Sequence, residues 1–306
     1  MSNSIVIIGT GSIAKQHTKN LQKQYQIHQF KGSETTADAL QFFLDGNPIT
    51  AVIICTFSSS HMKFVKVCIE CNIPFYSEKP ICLSSKDIKF LDEHNQTAIS
   101  KSCVGFNLRY HPALIWLKEK VSKHPHPINF NIRVGHDVTL WRPDRLLSDI
   151  FSLNHIKGGG AVSELSHECD FACYLFNDVV AWQSYSIKDP WNEEVDAQTS
   201  IILKMKNSLG SINLDIVSPV FHRQIILSSL NLYLELDILQ ATVTGVIDDQ
   251  KIEESFNYDR NDTLKESVTN FLDNLKQHSK IKPLNLYKDC RNSSKLIADI
   301  YENIVL

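Results

Sequence analysis

Three short stretches combine residue types and spacings that could do chemistry. In Gly9-Thr10-Gly11-Ser12-Ile13-Ala14 a glycine turn follows an apolar, β-branched run and opens a helical pattern. The first glycine permits a tight turn, the second lets backbone approach a pyrophosphate, and the small Ala14 lets a helix sit close on a strand. The N–H groups of that helix start, at Ser12 and Ile13, would then face the phosphates; a plain glycine turn is the alternative. The second stretch is Glu78-Lys79-Pro80. Oxidising an alcohol needs a group that takes the hydroxyl proton as hydride leaves carbon. A lysine at a strand's carboxyl end lies where open α/β sheets hold ligands. Desolvation and a nearby positive charge would both lower its pKa toward that task; a solvated surface lysine is the alternative. The third runs from Gly158-Gly159-Gly160 through Glu164, His167 and Asp170. Spacing by three puts these last three on one helical face, where a carboxylate can orient an imidazole that acts as acid or base. The same acids could instead serve the helix N-terminus. The triple glycine is expected to let backbone come close to a ligand.

Positioning these groups falls to two kinds of pattern. Residues 4–8, 26–30, 51–55, 74–77 and 103–107 read as strands. They alternate with helical stretches at 12 to about 23, 61–71 and after a cap at Ser84 or Ser85, which makes a βαβ series with a parallel sheet. With the glycine turn behind its first strand, that series is a Rossmann pattern. The second strand ends without the carboxylate that an NAD site offers the adenosine ribose; Lys31-Gly32-Ser33 stands there instead. A cation and a hydroxyl suit a 2′-phosphate, so NADP is preferred over NAD, with a merely solvated Lys31 as the alternative. A helix at 112 to about 121 and a proline- and histidine-rich link at 123–127 follow. Longer alternating segments come next, at 129–138, 181–187, 200–205, 211–217, 224–227, 233–239 and 241–247, with a hairpin signal at Asn207-Ser208-Leu209-Gly210. One helix at about 161–176 interrupts them, and two more lie near 263–277 and 287–304. The expected class is α/β: an N-terminal Rossmann parallel sheet in residues 1–119, then a C-terminal α+β domain in residues 120–306 with a meandering, mostly antiparallel sheet.

Composition narrows the partners. The 306 residues are 43% apolar and 21% charged with a net charge of −3. That offers no basic field to nucleic acid and no polybasic stretch to a membrane. The start, MSNSIVIIGTG, has no basic lead and its apolar run is short, and no window approaches the ~20 apolar residues of a membrane-spanning helix, so a cytoplasmic protein is expected. The eight cysteines fall inside apolar strands and helices, as reduced thiols do. Cys68 and Cys71 form a lone CxxC on a helical pattern, and no metal site is expected.

Taken together, GTGSIAKQH (9–17), TFSSSH (56–61), SEKP (77–80), VGFNLRYHP (104–112) and GGGAVSELSHECDFACYLF (158–176) resemble the Gfo/Idh/MocA family of NAD(P)-dependent oxidoreductases. The resemblance implies an open second sheet whose outer face makes homodimers or homotetramers. It implies Lys79 as the active-site lysine and His167 as the acid/base histidine, with Glu164 as a relay. It places Thr56, Phe57 and His61 on the adenosine side, Glu78 and Asn107 near the nicotinamide ribose, and Arg109 and Tyr110 with the substrate. Two departures stand out. Ser163 occupies the place of the family's usual aspartate, four before the histidine, and Phe57 replaces a common proline. Residues 140–145, LWRPDR, look like a subgroup linked to bacterial surface-sugar and sialic-acid-like biosynthesis. Trp141, Arg142 and Arg145 suit a carboxylate or phosphate with a sugar ring stacked beside it; a salt-bridged strand end is the alternative.

The expected function is hydride transfer between NADP or NAD and a secondary alcohol carbon of a sugar, inositol or sugar derivative. A cofactor-sensing regulator that kept the fold and lost the chemistry is the competing class. Within the enzyme class, a cofactor that stays bound and cycles between two sugars is the runner-up.

Overall fold

In a computed structural model, residues 3–94, 96–140, 146–276 and 282–304 are described. The first unit runs β1 (Ser4–Ile8), α1 (Ser12–Leu21), β2 (Gln26–Phe30), α2 (Ala37–Gly46), β3 (Ile49–Ile54), α3 (His61–Glu70), β4 (Phe75–Ser77), α4 (Ser85–Glu93), the short α5 (Gln96–Ile99) and β5 (Cys103–Val104). Its five strands are all parallel in the order β2-β1-β3-β4-β5. A sheet buried on both faces demands apolar side chains at every position, and Ile5 to Ile8 and Ala51 to Ile54 are all fully buried. The chain leaves β1 toward β2 on one side and later reaches β3 on the other. That reversal opens a crevice beyond the carboxyl ends of β1 and β3.

Then α6 (Pro112–Lys123) leads into β6 (Ile128–Asp137), and α7 (Ala161–Glu164) and α8 (His167–Phe176) follow. The remaining strands are β7 (Val179–Lys188), β8 (Asp196–Met205), β9 (Ser208–Asp215), β10 (Val217–Ser229), β11 (Leu232–Asp237), β12 (Thr242–Ile247) and β13 (Gln250–Ser255), and α9 (Arg260–Leu275) and α10 (Tyr287–Glu302) close the chain. The eight strands form one mixed, mostly antiparallel sheet in the order β13-β12-β11-β10-β6-β9-β8-β7, with β6 and β9 the parallel pair. Its inner face carries Ile128, Phe130, Ile132 and Val134 of β6 into the core against α8. Phe130 and Phe176 stack there at 4.7 Å.

Both expected sheets are present. The expected helix at 161–176 is two helices, because Leu165 leaves the helical region (φ −101°, ψ 32°). The fifth strand stops at Val104, and residues 107–110 turn as a 3-10 helix. α2 and β13 were not foreseen. The last helices return to the first unit: Val268, Phe271 and Leu272 of α9 pack with Ile5, Ile7, Ala51 and Ile53. There the Tyr76 hydroxyl and Ser267 Oγ lie 2.8 Å apart. The expected division near residue 119 therefore assigns α9 to one unit while its burial joins it to the other. No helix among the described residues is long and apolar enough to cross a membrane.

Candidate active site

The crevice is built from the ends of β1, β3 and β4. Gly9 holds a φ of +128°, and a Cβ there would sit 2.4 Å from the Cys55 carbonyl oxygen, so only glycine brings these two strand ends together. A Cβ on Gly11 would meet nothing within 4 Å, and Gly11, Ser12 and Ile13 are exposed. The helix they open has no side-chain cap, whereas α2 and α4 are capped by Thr36 and Ser84. An uncapped helix start with open space before it leaves free N–H donors for an anion.

Around that turn the expected residues divide. Thr56 packs against Gly32 at the crevice edge. Phe57 stays half-exposed, stacked at 5.7 Å on Phe151 of the second unit, with the Lys157 ammonium 5.0 Å over its ring. Lys31 is exposed and ion-paired with Glu34. His61 does not reach the crevice: it is buried, with Nδ1 2.7 Å from the Pro80 carbonyl and Nε2 3.1 Å from that of Thr56. Its ring is thus a brace between two strand-end turns. Glu78 does face the crevice and is steadied from behind by His17, whose Nε2 lies 3.0 Å from Oε1. His17 is fully buried, and together with Cys55 and Glu78 it forms a cluster with ligating atoms within 4.8 Å of one another. All eight cysteines are free thiols. Burial pushes the Cys68 thiol up, and Cys71 Sγ turns to the Asp45 carboxylate.

Lys79 bridges the two units. Its Nζ donates to the backbone carbonyl of Glu164 at 2.6 Å. In an unbroken helix that carbonyl would accept from the Glu168 N–H. Here Glu168 N–H turns to the Leu165 carbonyl at 3.3 Å, and the break frees the Glu164 oxygen for the lysine. It also removes Glu164 from the face it was expected to share with His167 and Asp170: its Oε2 accepts from Ser152 Oγ at 2.9 Å. The relay role expected of the Glu164 side chain is therefore replaced by a positioning role for its backbone. The glycines serve the protein itself. A Cβ on Gly158 would strike Leu83, one on Gly159 the carbonyls of Phe151 and Ser152, and one on Gly160 the Asp196 carboxylate. Asp196 in turn accepts from the Val162 N–H and Thr199 Oγ1.

His167 starts α8 with only 8% of its surface exposed, edge-on to Phe106, and its Nδ1 has no hydrogen-bond partner among the described residues. Burial, then the charges of Lys79, Arg223 and Arg260, hold its pKa well below the ordinary histidine value. At neutral pH it is an uncharged imidazole able to accept a proton.

Three neighbours escaped the sequence reading: His136 on β6, Glu168 on α8 and Arg223 on β10. They meet because β10 bulges. Val217 pairs with Asp137 but His222 with Gly135, so residues 218–221 loop out, and a Cβ on Gly135 would collide with His222 and Ser218. Inward alternation along 129–138 could have pointed to His136; nothing local marks the bulge. Burial also lowers His136, and it lowers His111 to about 4. A buried histidine that stays neutral when the unfolded chain takes up a proton makes stability rise with pH. Thermal stability is therefore expected to fall as pH drops from about 6.5 toward 5. Each such histidine contributes about 1.4 kcal/mol per pH unit. A melting temperature that is flat over this range would contradict the assignment.

The structure moves Arg109 and Tyr110 out of the substrate set. Arg109 is 2% exposed and spends every donor nitrogen on protein. Nε and Nη2 reach Asp170 at 2.9 and 2.6 Å, and Nη1 reaches the Leu284 and Asp289 carbonyls. The Tyr110 hydroxyl donates to Asn285 and accepts from the Leu284 N–H. Asn107 is half-buried, its amide donating to Thr263 Oγ1 at 2.9 Å. Trp141, Arg142 and Arg145 lie outside the described residues.

No protein-family model matches the chain. It is 24% identical over 162 residues to an inositol 2-dehydrogenase of Paracoccus denitrificans, a match spanning 45% of this chain and 48% of that protein. It is 22% identical over 231 residues to a myo-inositol 2-dehydrogenase of Thermotoga maritima, covering 68% and 67%. Among solved structures it superposes on the WlbA dehydrogenase of Bordetella pertussis, in complex with NADH and UDP-GlcNAcA. The TM-score is 0.75 at 17% identity, over 99% of this chain and 96% of that one. The chain has the fold of that solved structure, and the expected architecture of a Rossmann unit joined to a mostly antiparallel sheet is present.

Proposed function

We propose that this chain is an NAD(P)-dependent oxidoreductase acting on a CH–OH group of a sugar, an inositol or a sugar derivative. The carrying observation is that Lys79, from the end of β4, reaches the Glu164 carbonyl and brings its charge onto His167, from the start of α8, in a chain whose α1 begins uncapped after a glycine turn. The inositol dehydrogenases among its relatives, and a neighbour holding NADH with a sugar nucleotide, support the same class.

The residues present fit a dinucleotide. Gly9 and Gly11 would leave room for it, the N–H groups of Ser12 and Ile13 would bind the pyrophosphate, Thr56 and Phe57 would flank the adenosine side, and Glu78 and Asn107 would lie near the nicotinamide ribose. When bound, the nicotinamide supplies the hydride acceptor or donor. The chain's own groups do the rest. The one hydroxyl proton would pass through Nζ of Lys79, aimed by the Glu164 carbonyl, to neutral His167, which also orients the hydroxyl. Lys31 with Ser33 supports NADP. Its pair with Glu34 must open to admit a 2′-phosphate, which keeps NAD as the competing outcome. Support for the surface-sugar subgroup comes from residues 140–145 in sequence. A second copy is the proposed occupant of the outer sheet face, where Ile202, Leu209, Tyr233 and Val246 are exposed.

The test is fluorescence titration with both cofactors, then a panel of sugars, inositols and sugar nucleotides, with light scattering on the same sample. Cofactor reduction by at least one polyol supports the reading. Tight cofactor binding with no turnover across the panel and a protein partner recovered by pulldown would favour the regulator instead. A monomer would remove the sheet-face proposal alone.

A further inference from the structure

Two arginines of the fold, Arg109 fully buried and Arg223 half-buried, use their donors in opposite ways. Arg109 has every nitrogen engaged by protein. Arg223, on the inner face of β10 with 16% of its side chain exposed, has one counter-ion: its Nε lies 2.7 Å from Oε1 of fully buried Glu168. Its two Nη groups make no hydrogen bond with any described residue. The contact is an ion pair without a formed hydrogen bond, since Arg223 Nε and both Glu168 oxygens are buried without a hydrogen-bond partner among the described residues. A half-buried guanidinium held at its Nε corner, with no protein partner at Nη, keeps two donors free for a further oxyanion.

The surroundings give the sign of what completes it. The Arg223 charge reaches His111, His136 and His167, and burial keeps all three from carrying a charge that would compete with the guanidinium for an incoming anion. Lys79 and Arg260 add positive charge beside His167, while the carboxylates that face the cluster are Glu168 at Arg223 and Glu164 and Asp137 at His136. Glu168 occupies the Nε corner of the guanidinium, which leaves the two Nη groups as a fork. That shape matches a planar or tetrahedral oxyanion through two parallel N–H···O bonds.

We infer that the Nη edge of Arg223 is an oxyanion subsite for the substrate, so that the sugar bound beside His167 carries a carboxylate or phosphate group. This rests on the proposed placement of the sugar beside Lys79 and His167 and narrows its class. Glu168 is a positioning residue: it holds the guanidinium by its Nε side and keeps the fork turned outward.

The experiment is equilibrium titration of the NADH-loaded protein with D-glucuronate, D-glucose 6-phosphate and D-glucose, read by nicotinamide fluorescence and independent of turnover. At least one anionic probe should bind about 10- to 100-fold more tightly than glucose, the range for a charge-assisted pair. A preference for glucuronate alone assigns a carboxylate, and one for the phosphate ester alone assigns a phosphate. In Arg223→Met, paired with Glu168→Gln so that no buried charge is orphaned, the anion-to-glucose ratio should fall to near one. Arg223→Lys, which keeps charge and loses the fork, should fall between. Glucose binding as tightly as both anions, no binding of either anion, or an unchanged ratio in the double variant would each overturn the subsite. The oxidoreductase reading is judged separately, by cofactor reduction on the polyol panel.

Discussion

Alanine at Lys79 is expected to lower kcat about 10²–10⁴-fold while cofactor affinity stays nearly unchanged. The ammonium links both units at the crevice, and its contact is with a backbone carbonyl at 2.6 Å, not with a carboxylate. A lysine neutralised by an acid would be held as an ion pair; a carbonyl fixes its position and leaves its proton available. Removing it has a second consequence. Lys79 is among the charges that depress His167, so the His167 pKa should move up toward its ordinary value in the variant. The pH profile of residual turnover should therefore shift upward on its acidic limb. The variant is best compared with Lys79→Met, which fills the same space, by steady-state kinetics on a substrate found in the panel. Normal turnover in either variant would remove Lys79 from the chemistry. Lost turnover with an unmoved pH limb would separate Lys79 from His167.

The sequence was most informative where structure is local. The β1–glycine–α1 unit follows from a buried apolar run, a turn only glycine can make and a 3.6-residue pattern, all within residues 4–21. Strand alternation located most of the second sheet for the same reason. The break at Leu165 was illegible because its cause lies far away in sequence. The Glu164 carbonyl gives up its helical partner for a lysine 85 residues earlier, and residues 161–176 alone read as one helix. The bulge that aims Arg223 depends on Gly135 in another strand. β13, with mostly exposed side chains, has no buried face to announce it. The two arginines make the limit plain. Nothing in sequence separates Arg109, with partners 61 and 175 residues away, from Arg223, whose Nη edge is open. The resemblance that led to Lys79 also led to Arg109, which the fold uses for itself.

That internal use of Arg109 predicts a large stability effect where a substrate contact would give a kinetic one. Alanine at Asp170 is expected to destabilise the protein by about 3–5 kcal/mol, because it leaves a 2%-exposed guanidinium without its counter-ion. Asp170 also accepts from Ser293 Oγ of α10 at 2.6 Å, so the same change loosens the α8–α10 contact. For a chain of this size the melting temperature should fall by about 5–8 °C. Removing both charges, with Arg109→Met and Asp170→Leu together, should cost less than Asp170→Ala alone. A buried pair is mainly expensive to break, and two apolar side chains leave no charge stranded in the interior. Calorimetry on the single and double variants reads this directly. If Asp170→Ala instead melted like the parent and raised only the KM for substrate, Arg109 would belong to the substrate site after all, and the Arg223 fork would lose the contrast that singles it out.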